Sequence, residues 1–514
     1  MSEPGGRERL ARPTVAPRPL AEVAVALGLP RDAAPAGATV TGVTLDSRDV
    51  RPGDLYAALP GSRAHGADFA AAAAAAGAVA VLTDPAGAAR ALAAGLPALV
   101  VDLPRDRLGE VAALVYGRPA ERLLLVGVTG TNGKTTTAFL LEAGLRAAGH
   151  RTGLVGTVET RVAGEVLPSE RTTPEAPDVQ ALLALMVERG CTAAAMEVSS
   201  HALALGRVDG TVFDVAVFTN LSQDHLDFHA TIEDYYGAKA TLFTPARSRT
   251  AVVCVDGPSG RRLAGEATVP VTTYTAAAGP ADWRASGLHL DAEGARFVVE
   301  GPAGERAPAR VRLAGGFNVA NALGAVVALV TAGLPLAAAV AGVGAVEGVP
   351  GRMERVDAGQ PFLALVDYAH TPEAVETLLA AVRAVTAGRV VVVLGCGGDR
   401  DPFKRPLMGA AAVLGADVAV LTNDNPRSED PARIIEAMLE GARAVAPDAA
   451  DRVVVEPDRA VAIALAVARA RPGDAVVVAG KGHEQGQEQA GVVRAFDDRV
   501  ELRRALAHSW DGSR

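Results

Sequence analysis

The sequence predicts an α/β protein of three domains, and three observations lead there. The chain has 514 residues, enough for about three domains at ~150 residues each. Along most of it, short Val/Leu/Ala-rich runs alternate with Ala-rich helical stretches, the pattern of parallel sheets covered by helices. Finally, "GVTGTNGKTTTA" (Gly127 to Ala138) sets a Gly-Lys-Thr turn between an apolar strand and a helix.

Composition bounds the classes available. Hydrophobic residues are 49 % and aromatics 4 %, so Ala, Val and Leu carry the cores. A net charge of -9 argues against non-specific nucleic-acid binding but leaves room for a local cationic pocket. Cys191, Cys254 and Cys396 show no metal-ligand spacing and read as buried thiols of a reducing compartment. The N-terminus has no apolar segment of a signal peptide. One charge-free run, Leu313 to Val346, exceeds the ~18 residues of a membrane span. Asn318, Asn321, Pro335 and several glycines break it, so two buried Ala-rich helices are expected and no span. The expectation is a soluble, cytoplasmic monomer that binds no nucleic acid.

In chain order, residues 1–18 are Pro/Arg-rich and expected as a disordered tail. Residues 19–120 alternate short strands and Ala-rich helices. "FAAAAAAAGAVAVLTD" (Phe69 to Asp84) reads as one helix-strand unit, because Ala is the best helix former. Residues 121–348 form a central P-loop-type parallel-sheet ATPase domain, with strands at "RLLLVGVTG", "AAAMEVSS", "VAVFTN" and "AVVCVD". Hairpin-like strands follow between about 285 and 313, then a helix from Asn318 to about Ala332 and another after Pro335. Residues 349–514 form a Rossmann-like C-terminal domain with strands in "FLALVDYA", "RVVVVLGCGG", "DVAVLTNDN", "RVVVEPD" and "DAVVVAGKG". Each ends in a polar loop, where open α/β sheets bind ligands.

The motifs each carry two readings. In the opening loop, glycine backbone N–H groups and the helix N-terminus would cradle phosphates, with Lys134 reaching the β/γ-phosphates and Thr135 ligating Mg²⁺. The first Gly of the standard spacing would fall at Val128, and a plain Gly turn is the alternative. Glu197 in "MEVSSHALALGRV" sits at a strand end, where it would ligate Mg²⁺ or else be a solvated Glu beside a helix-capping Ser. "NLSQDHLDFH" (Asn220 to His229) is a metal loop or an ordinary polar loop. Zinc is disfavoured there, since no Cys joins the cluster. Lys239 in "YYGAKATLF" is a snorkelling helix lysine or a desolvated amine, reactive enough to be carbamylated by CO₂ into a Mg²⁺ ligand. "GCGGDRDPFKRP", "NDNPRSED" and "GKGHE" could each be turns. Converged at one sheet edge, they would bring Arg400, Arg427 and Glu484 together, a set suited to an amino acid's carboxylate and ammonium.

Together these residues resemble the Mur ligase family, over nearly the whole chain after the first ~20–40 residues. "GTNGKTT" (Gly130 to Thr136) is that family's form of the phosphate loop, which accounts for the offset. The resemblance is nearest the members that add the third peptide residue in peptidoglycan synthesis, and it implies the rest of the site. ATP would be held by Gly130, Thr131, Asn132, Gly133, Lys134, Thr135 and Thr136, with Asn318, Asn321, Arg352 and Asp367. The UDP-MurNAc-dipeptide would meet Leu45, Ser47, Thr172, Thr173, Ser199 and Arg207. Mg²⁺ would bind Thr135, Glu197, His225 and carbamylated Lys239, with Lys134, Lys239 and His225 as the catalytic set. Diaminopimelate would meet Arg400, Asp424, Asn425, Pro426, Arg427, Gly480 and Glu484. In this resemblance, lysine-adding relatives typically lack the Arg that stands here as Arg427 in "DNPR". Three departures from the family pattern affect substrate contacts: Leu205, Arg171 and Ser62-Arg63-Ala64. The implied reaction is ATP-driven amide formation through an acyl phosphate. The rivals are another ligase of the superfamily, such as folylpolyglutamate synthetase, and a catalytically silent binding protein.

Overall fold

The computed structural model describes residues 11–168, 171–225, 228–446 and 450–509. The alternating runs become strands in three successive sheets. The first has four parallel strands in sequential order, β1 (Gly42–Thr44), β2 (Asp54–Ala58), β3 (Ala80–Thr83) and β4 (Ala98–Val100). The poly-Ala run forms the helix Ala70–Ala75, which buries Ala70 and Ala73 at no side-chain entropy cost. Helix α1 (Pro104–Val115) starts on a proline, whose missing N–H costs nothing there.

The expected disordered tail is wrong for its second half. The Arg12 guanidinium lies 2.5 Å from Asp54 Oδ2 and donates to the Asp49 carbonyl at 3.2 Å. The Thr14 N–H reaches Glu188 at 3.3 Å, while Ala11 and Val15 pack on apolar clusters. The physical reason is the Asp54 carboxylate, 3 % exposed, which is costly to bury without a counter-charge. Residues 1–10 lie outside the described residues.

The second sheet has eleven strands. In chain order they are β5 (Leu124–Thr129), β6 (Thr152–Val155), β7 (Thr160–Val162), β8 (Glu165–Leu167), β9 (Ala193–Glu197), β10 (Phe213–Phe218), β11 (Ser248–Cys254), β12 (Val271–Thr275), β13 (Trp283–Asp291), β14 (Gly294–Glu300) and β15 (Arg306–Val311). Their spatial order is β8-β7-β6-β9-β5-β10-β11-β12-β13-β14-β15, parallel from β6 to β13 and antiparallel at both edges. β5 is central, and helix α2 (Lys134–Ala147) leaves its carboxyl end. Helix α3 (Ala176–Glu188) packs against α1. The run from Leu313 to Val346 holds the two expected helices, α5 (Phe317–Thr331) and α6 (Leu336–Gly344), numbered after α4 (Ile232–Ala240). They crowd α2 so closely that a Cβ on Gly144 would meet Leu329 Cδ1 at 2.2 Å. Among the described residues no helix is long and apolar enough to cross a membrane. The three cysteines are free and buried.

The third sheet contains β16 (Glu354–Arg355), β17 (Leu363–Asp367), β18 (Val390–Leu394), β19 (Val418–Leu421), β20 (Val453–Val455) and β21 (Ala475–Ala479), in the order β16-β17-β21-β18-β19-β20. All but β16 run parallel. The carboxyl ends of β17, β18, β19 and β21 therefore share one edge, and their loops carry "DYAH", "GCGGDR", "NDNPR" and "GKGHE". Helices α7 (Lys404–Gly415), α8 (Arg459–Arg469) and α9 (Asp498–Ser509) cover this sheet.

Candidate active site

The phosphate loop is shaped by backbone. Gly133 caps α2 at φ +87°, a conformation that disfavours any Cβ, and a Cβ there would meet Asn321 Oδ1 at 2.3 Å. Gly130 (φ +152°) sits against Thr219 Oγ1, where a Cβ would approach to 1.9 Å. The Lys134 ammonium curls back over the loop and donates to the Gly130 and Thr131 carbonyls, each at 2.9 Å. Burial pushes its pKa down, while the Glu197 and Asp224 carboxylates oppose that shift. A phosphate arriving here would meet a helix N-terminus and a poised ammonium together.

A cavity of about 680 Å³ opens over this loop. It is lined by Thr131 through Thr136, Asn318, Asn321, Arg352 and Asp367, together with Glu197, His225 and Lys239. Gly130 contributes its carbonyl rather than cavity surface. Asn318 and Asn321 are linked, Asn321 Nδ2 donating to Asn318 Oδ1 at 3.0 Å. From the turn just before β16, Arg352 donates to Thr135 Oγ1 at 3.2 Å and lies over the Tyr368 ring at 4.4 Å. The Asp367 carboxylate accepts from the Met353 and Ala369 N–H groups. Burial raises its pKa, and the nearby Arg352 charge works against that.

Glu197 is 0 % exposed, so the reading of a solvated glutamate fails, although Ser199 does cap the next helix. Its oxygens accept from Thr135 Oγ1 at 3.0 Å, from Thr157 N at 2.7 Å and from Thr157 Oγ1 at 3.0 Å. All three donors are neutral, and no ion pair to Glu197 occurs among the described residues. A buried carboxylate with no direct ion pair and only neutral hydrogen-bond donors, beside a threonine hydroxyl, fits a hard divalent ion such as Mg²⁺. His225 lines the same cavity. Burial lowers its pKa to about 4, despite the adjacent Asp224, so the imidazole is neutral at pH 7 with a lone pair to offer. Asp224 itself is pushed up by burial, but His225, His370 and Lys134 outweigh this and hold it low. Leu226 and Asp227 lie outside the described residues. Among those described, no three His, Cys, Asp or Glu side chains gather closely enough to hold a metal by themselves.

Lys239 does not snorkel. It is 1 % exposed, its Nζ donates to the Gly130 carbonyl at 2.8 Å, and it lies 4.5 Å from the Tyr235 ring centroid. Burial, then the charge of Lys134, push its pKa well below the ordinary lysine value. Such an amine is a nucleophile for CO₂.

A second cavity, of about 1150 Å³, lies outside the carboxyl ends of the third sheet. Arg400, Asp424, Asn425, Arg427, Gly480 and Glu484 all line it, so the convergence expected of three loops is present. Pro426 only shapes the turn. Arg427, at φ +52°, donates to the Gly398 carbonyl at 2.6 Å and lies 3.6 Å from Glu488. Arg405 grips Glu429 with both terminal nitrogens, at 2.9 and 2.8 Å, tying the segment after β18 to the one after β19. Thr172, Thr173, Ser199 and Arg207 form the opposite wall. Thr173 Oγ1 donates to the Glu197 carbonyl at 2.9 Å, and Arg207 Nε pairs with Glu175 at 2.9 Å.

The two cavities share walls: Thr157, Thr172, Ser199, Asp224, His225 and His370 line both. A third cavity, of about 660 Å³, lies at the seam of the first two sheets and is lined by Leu45, Ser47, Tyr56 and Arg171. Of the departing residues, Arg171 pairs with Glu175 beside this cavity, Ala64 lines it, and Leu205 ends the short helix Ser200–Ala204. Sequence reasoning missed Thr157, Asp224, His370 and Lys481. For Asp224 the signal was its place beside His225 at a strand end. For Lys481 it was a lysine set between two glycines.

Three family profiles match the chain in succession: the Mur ligase family catalytic domain over residues 39–116, the Mur ligase middle domain over 128–329, and the Mur ligase glutamate ligase domain over 351–482. A UDP-N-acetylmuramoyl-L-alanyl-D-glutamate–2,6-diaminopimelate ligase of Streptomyces coelicolor is 64 % identical over 490 residues, covering 95 % of this chain and 96 % of its own. Its namesake in Streptomyces avermitilis is 61 % identical over 496 residues, covering 96 % and 97 %. A solved structure of a ligase of that name shares the fold with a TM-score of 0.64 at 35 % identity, covering 91 % of this chain and 95 % of that one.

Proposed function

The chain belongs to the Mur ligase family, and on that premise we propose that it is the ATP-dependent, ADP-forming ligase that joins diaminopimelate to UDP-N-acetylmuramoyl-L-alanyl-D-glutamate in peptidoglycan precursor synthesis. The observation that carries this reading is the shared wall of the phosphate-loop cavity and the amino-acid cavity. A carboxylate activated on one side of Ser199 and His225 is within reach of an amine presented from the other.

In this reading residues 19–120 hold the UDP-sugar, with Leu45 and Ser47 at the nucleotide. Residues 121–348 hold ATP, and residues 349–514 hold the amino acid. Thr172, Thr173, Ser199 and Arg207 present the terminal carboxylate of the dipeptide. That carboxylate attacks the γ-phosphate, giving an acyl phosphate and ADP. Lys134 offsets the charge that gathers on the transferring phosphoryl group. Mg²⁺, held by Thr135, Glu197, His225 and carbamylated Lys239, would supply further neutralisation of phosphate charge. Arg352 and Asp367 bring the third domain to the nucleotide, and closure excludes water that would hydrolyse the acyl phosphate. Arg400 and Arg427 orient diaminopimelate by its carboxylates, and Asp424 and Glu484 receive its ammonium. The free amine attacks the acyl carbon, and the tetrahedral intermediate expels phosphate. We read the protein as a cytoplasmic monomer, which size-exclusion chromatography with light scattering tests.

The test of function is ADP release measured with meso-diaminopimelate, LL-diaminopimelate and L-lysine, each with and without the UDP-dipeptide. Release requires both the UDP-dipeptide and a diaminopimelate. Release with a folate substrate and glutamate would sink the reading.

A further inference from the structure

Lys481 follows Gly480 at the end of β21, and its side chain is 0 % exposed. It does not line the amino-acid cavity, whereas Asp424, Asn425, Gly480 and Glu484 do. Its ammonium lies directly behind them, 3.0 Å from Asn425 Oδ1, 3.0 Å from Glu484 Oε2 and 3.4 Å from Asp424 Oδ1. An ammonium has three N–H donors and no acceptor, and here three acceptors on three side chains surround it. Asn425 completes the ring, its Nδ2 donating to Glu484 Oε2 at 2.8 Å. Its Oδ1 also accepts from the Glu488 N–H at 3.0 Å. With Lys481 on the amide oxygen, Asn425 has one workable orientation, which turns its nitrogen toward Glu484.

The charges follow from the same geometry. Two carboxylates around one buried ammonium leave this group of three side chains with a single negative charge. The Glu484 side chain is 33 % exposed, so that charge reaches the cavity, as recognition of an amino acid's ammonium requires. A second buried cation close by behaves differently. Arg459, also 0 % exposed, pairs with Asp498 at 2.7 Å and donates to the carbonyls of Asn423 and Ala479. It holds the backbone of the same two loops, and its hydrogen bonds go to Asp498 and to backbone carbonyls rather than to Asn425 or Glu484, although the Asp424 and Glu484 charges do act on it.

We propose that Lys481 is a positioning residue for amino-acid recognition: it touches no substrate and fixes Asn425 and Glu484 in the arrangement that receives the ammonium of the incoming diaminopimelate. This rests on the amino-acid site proposed above.

The experiment measures KM for all three substrates, kcat and Tm in the full-length protein carrying Lys481→Met, Lys481→Arg or Arg459→Met. Lys481→Met should raise KM for diaminopimelate on the order of 30-fold and leave KM for ATP and the UDP-dipeptide within about twofold. Lys481→Arg should fall between it and wild type. Arg459→Met, as the structural comparison, should lower Tm without singling out one substrate. Should Lys481→Met fail to fold, Lys481→Gln, which keeps a donor but no charge, carries the same expectation. A Lys481 variant whose three KM values rise together, or whose KM for diaminopimelate stays at wild type, overturns the proposal. A wild-type enzyme without diaminopimelate-dependent turnover overturns the amino-acid site itself, and this proposal with it.

Discussion

The phosphate loop and the amino-acid wall are built on opposite plans. The loop is one contiguous stretch whose shape comes from backbone: two glycines in positive-φ conformations, a helix start and two carbonyls that hold Lys134. The wall is assembled from side chains at the ends of β18, β19 and β21, held by Arg405–Glu429 and by the ring around Lys481. A backbone site is rigid because local geometry dictates it. A side-chain site is selective because each member depends on partners far away in the chain. In an enzyme that must treat ATP the same way throughout its family but choose one amino acid, this division of labour is physically apt.

The comparison breaks most visibly if Lys134 is dispensable. Lys134→Ala should cost about 3 kcal/mol or more in the transition state, on the order of 10²-fold in kcat, and single-turnover ADP formation checks it. Lys239→Ala should be nearly as severe, since Glu197 and the phosphates would lose a ligand-bearing neighbour. Short carboxylic acids should restore part of its activity by supplying the lost oxygens, and mass spectrometry of the wild-type protein should find the added carboxyl. Full activity of Lys239→Ala without added acid would end that assignment.

On the wall the effect should appear in specificity. Lysine has no second carboxylate for Arg427, so the wild type should prefer diaminopimelate by about 10²-fold in kcat/KM, since a site built for a polar group rejects analogues lacking it. Arg427→Ala should raise KM for diaminopimelate and narrow that gap while sparing KM for ATP. Equal use of both amino acids by the wild type would refute the role.

The smallest effect is on pH. His225 has a folded pKa near 4, below the ~6.5 of an unfolded histidine. Between those values the unfolded chain holds the extra proton, so stability is lost as pH falls through that window. His225→Gln should flatten part of the decline of Tm between pH 6.5 and 4.5, by a few degrees at most, because a side chain 36 % exposed keeps only part of such a shift as stability. His483, likewise lowered to about 4 by burial, should account for part of what remains.

The same contrast explains what was legible in the sequence. Strand–loop–helix with Gly-Lys-Thr is a local signal, so α2, β5 and the loop could be read directly, as could α5 and α6 from the breaks at Asn318 and Pro335. The convergence of Arg400, Arg427 and Glu484 was legible too, because parallel strands put all their carboxyl ends on one side. Lys481 was not, since nothing local distinguishes a buried lysine ringed by acceptors from an exposed one in a glycine turn. By residue type Lys239 reads as a snorkelling helix lysine or as a desolvated amine, and only the packing of Tyr235 and the Gly130 carbonyl around it reveals full burial. The ordering of residues 11–18 was hidden for the same reason: Asp54, its partner, lies 42 positions away from Arg12.

That N-terminal strap has a mechanical consequence. Arg12 clasps Asp54 and the Asp49 carbonyl in the first unit, and the next residues lie on α3 of the second through Thr14–Glu188 and Val15. The packing of α1 on α3 stiffens the same seam. The seam to the third unit is crossed by ties that include Arg352–Thr135, the Thr157 backbone at His483 and the packing of Ala314 and Phe317, without a charged clasp like Arg12–Asp54 among those ties. Under tension applied to the two ends of the chain, the force therefore meets a riveted joint first and a hinge second. In an optical trap the third unit should swing away at low force as an early, reversible extension, with the first two yielding together only later. Cutting the strap by Arg12→Ala should bring the second rupture to lower force and leave the first where it was.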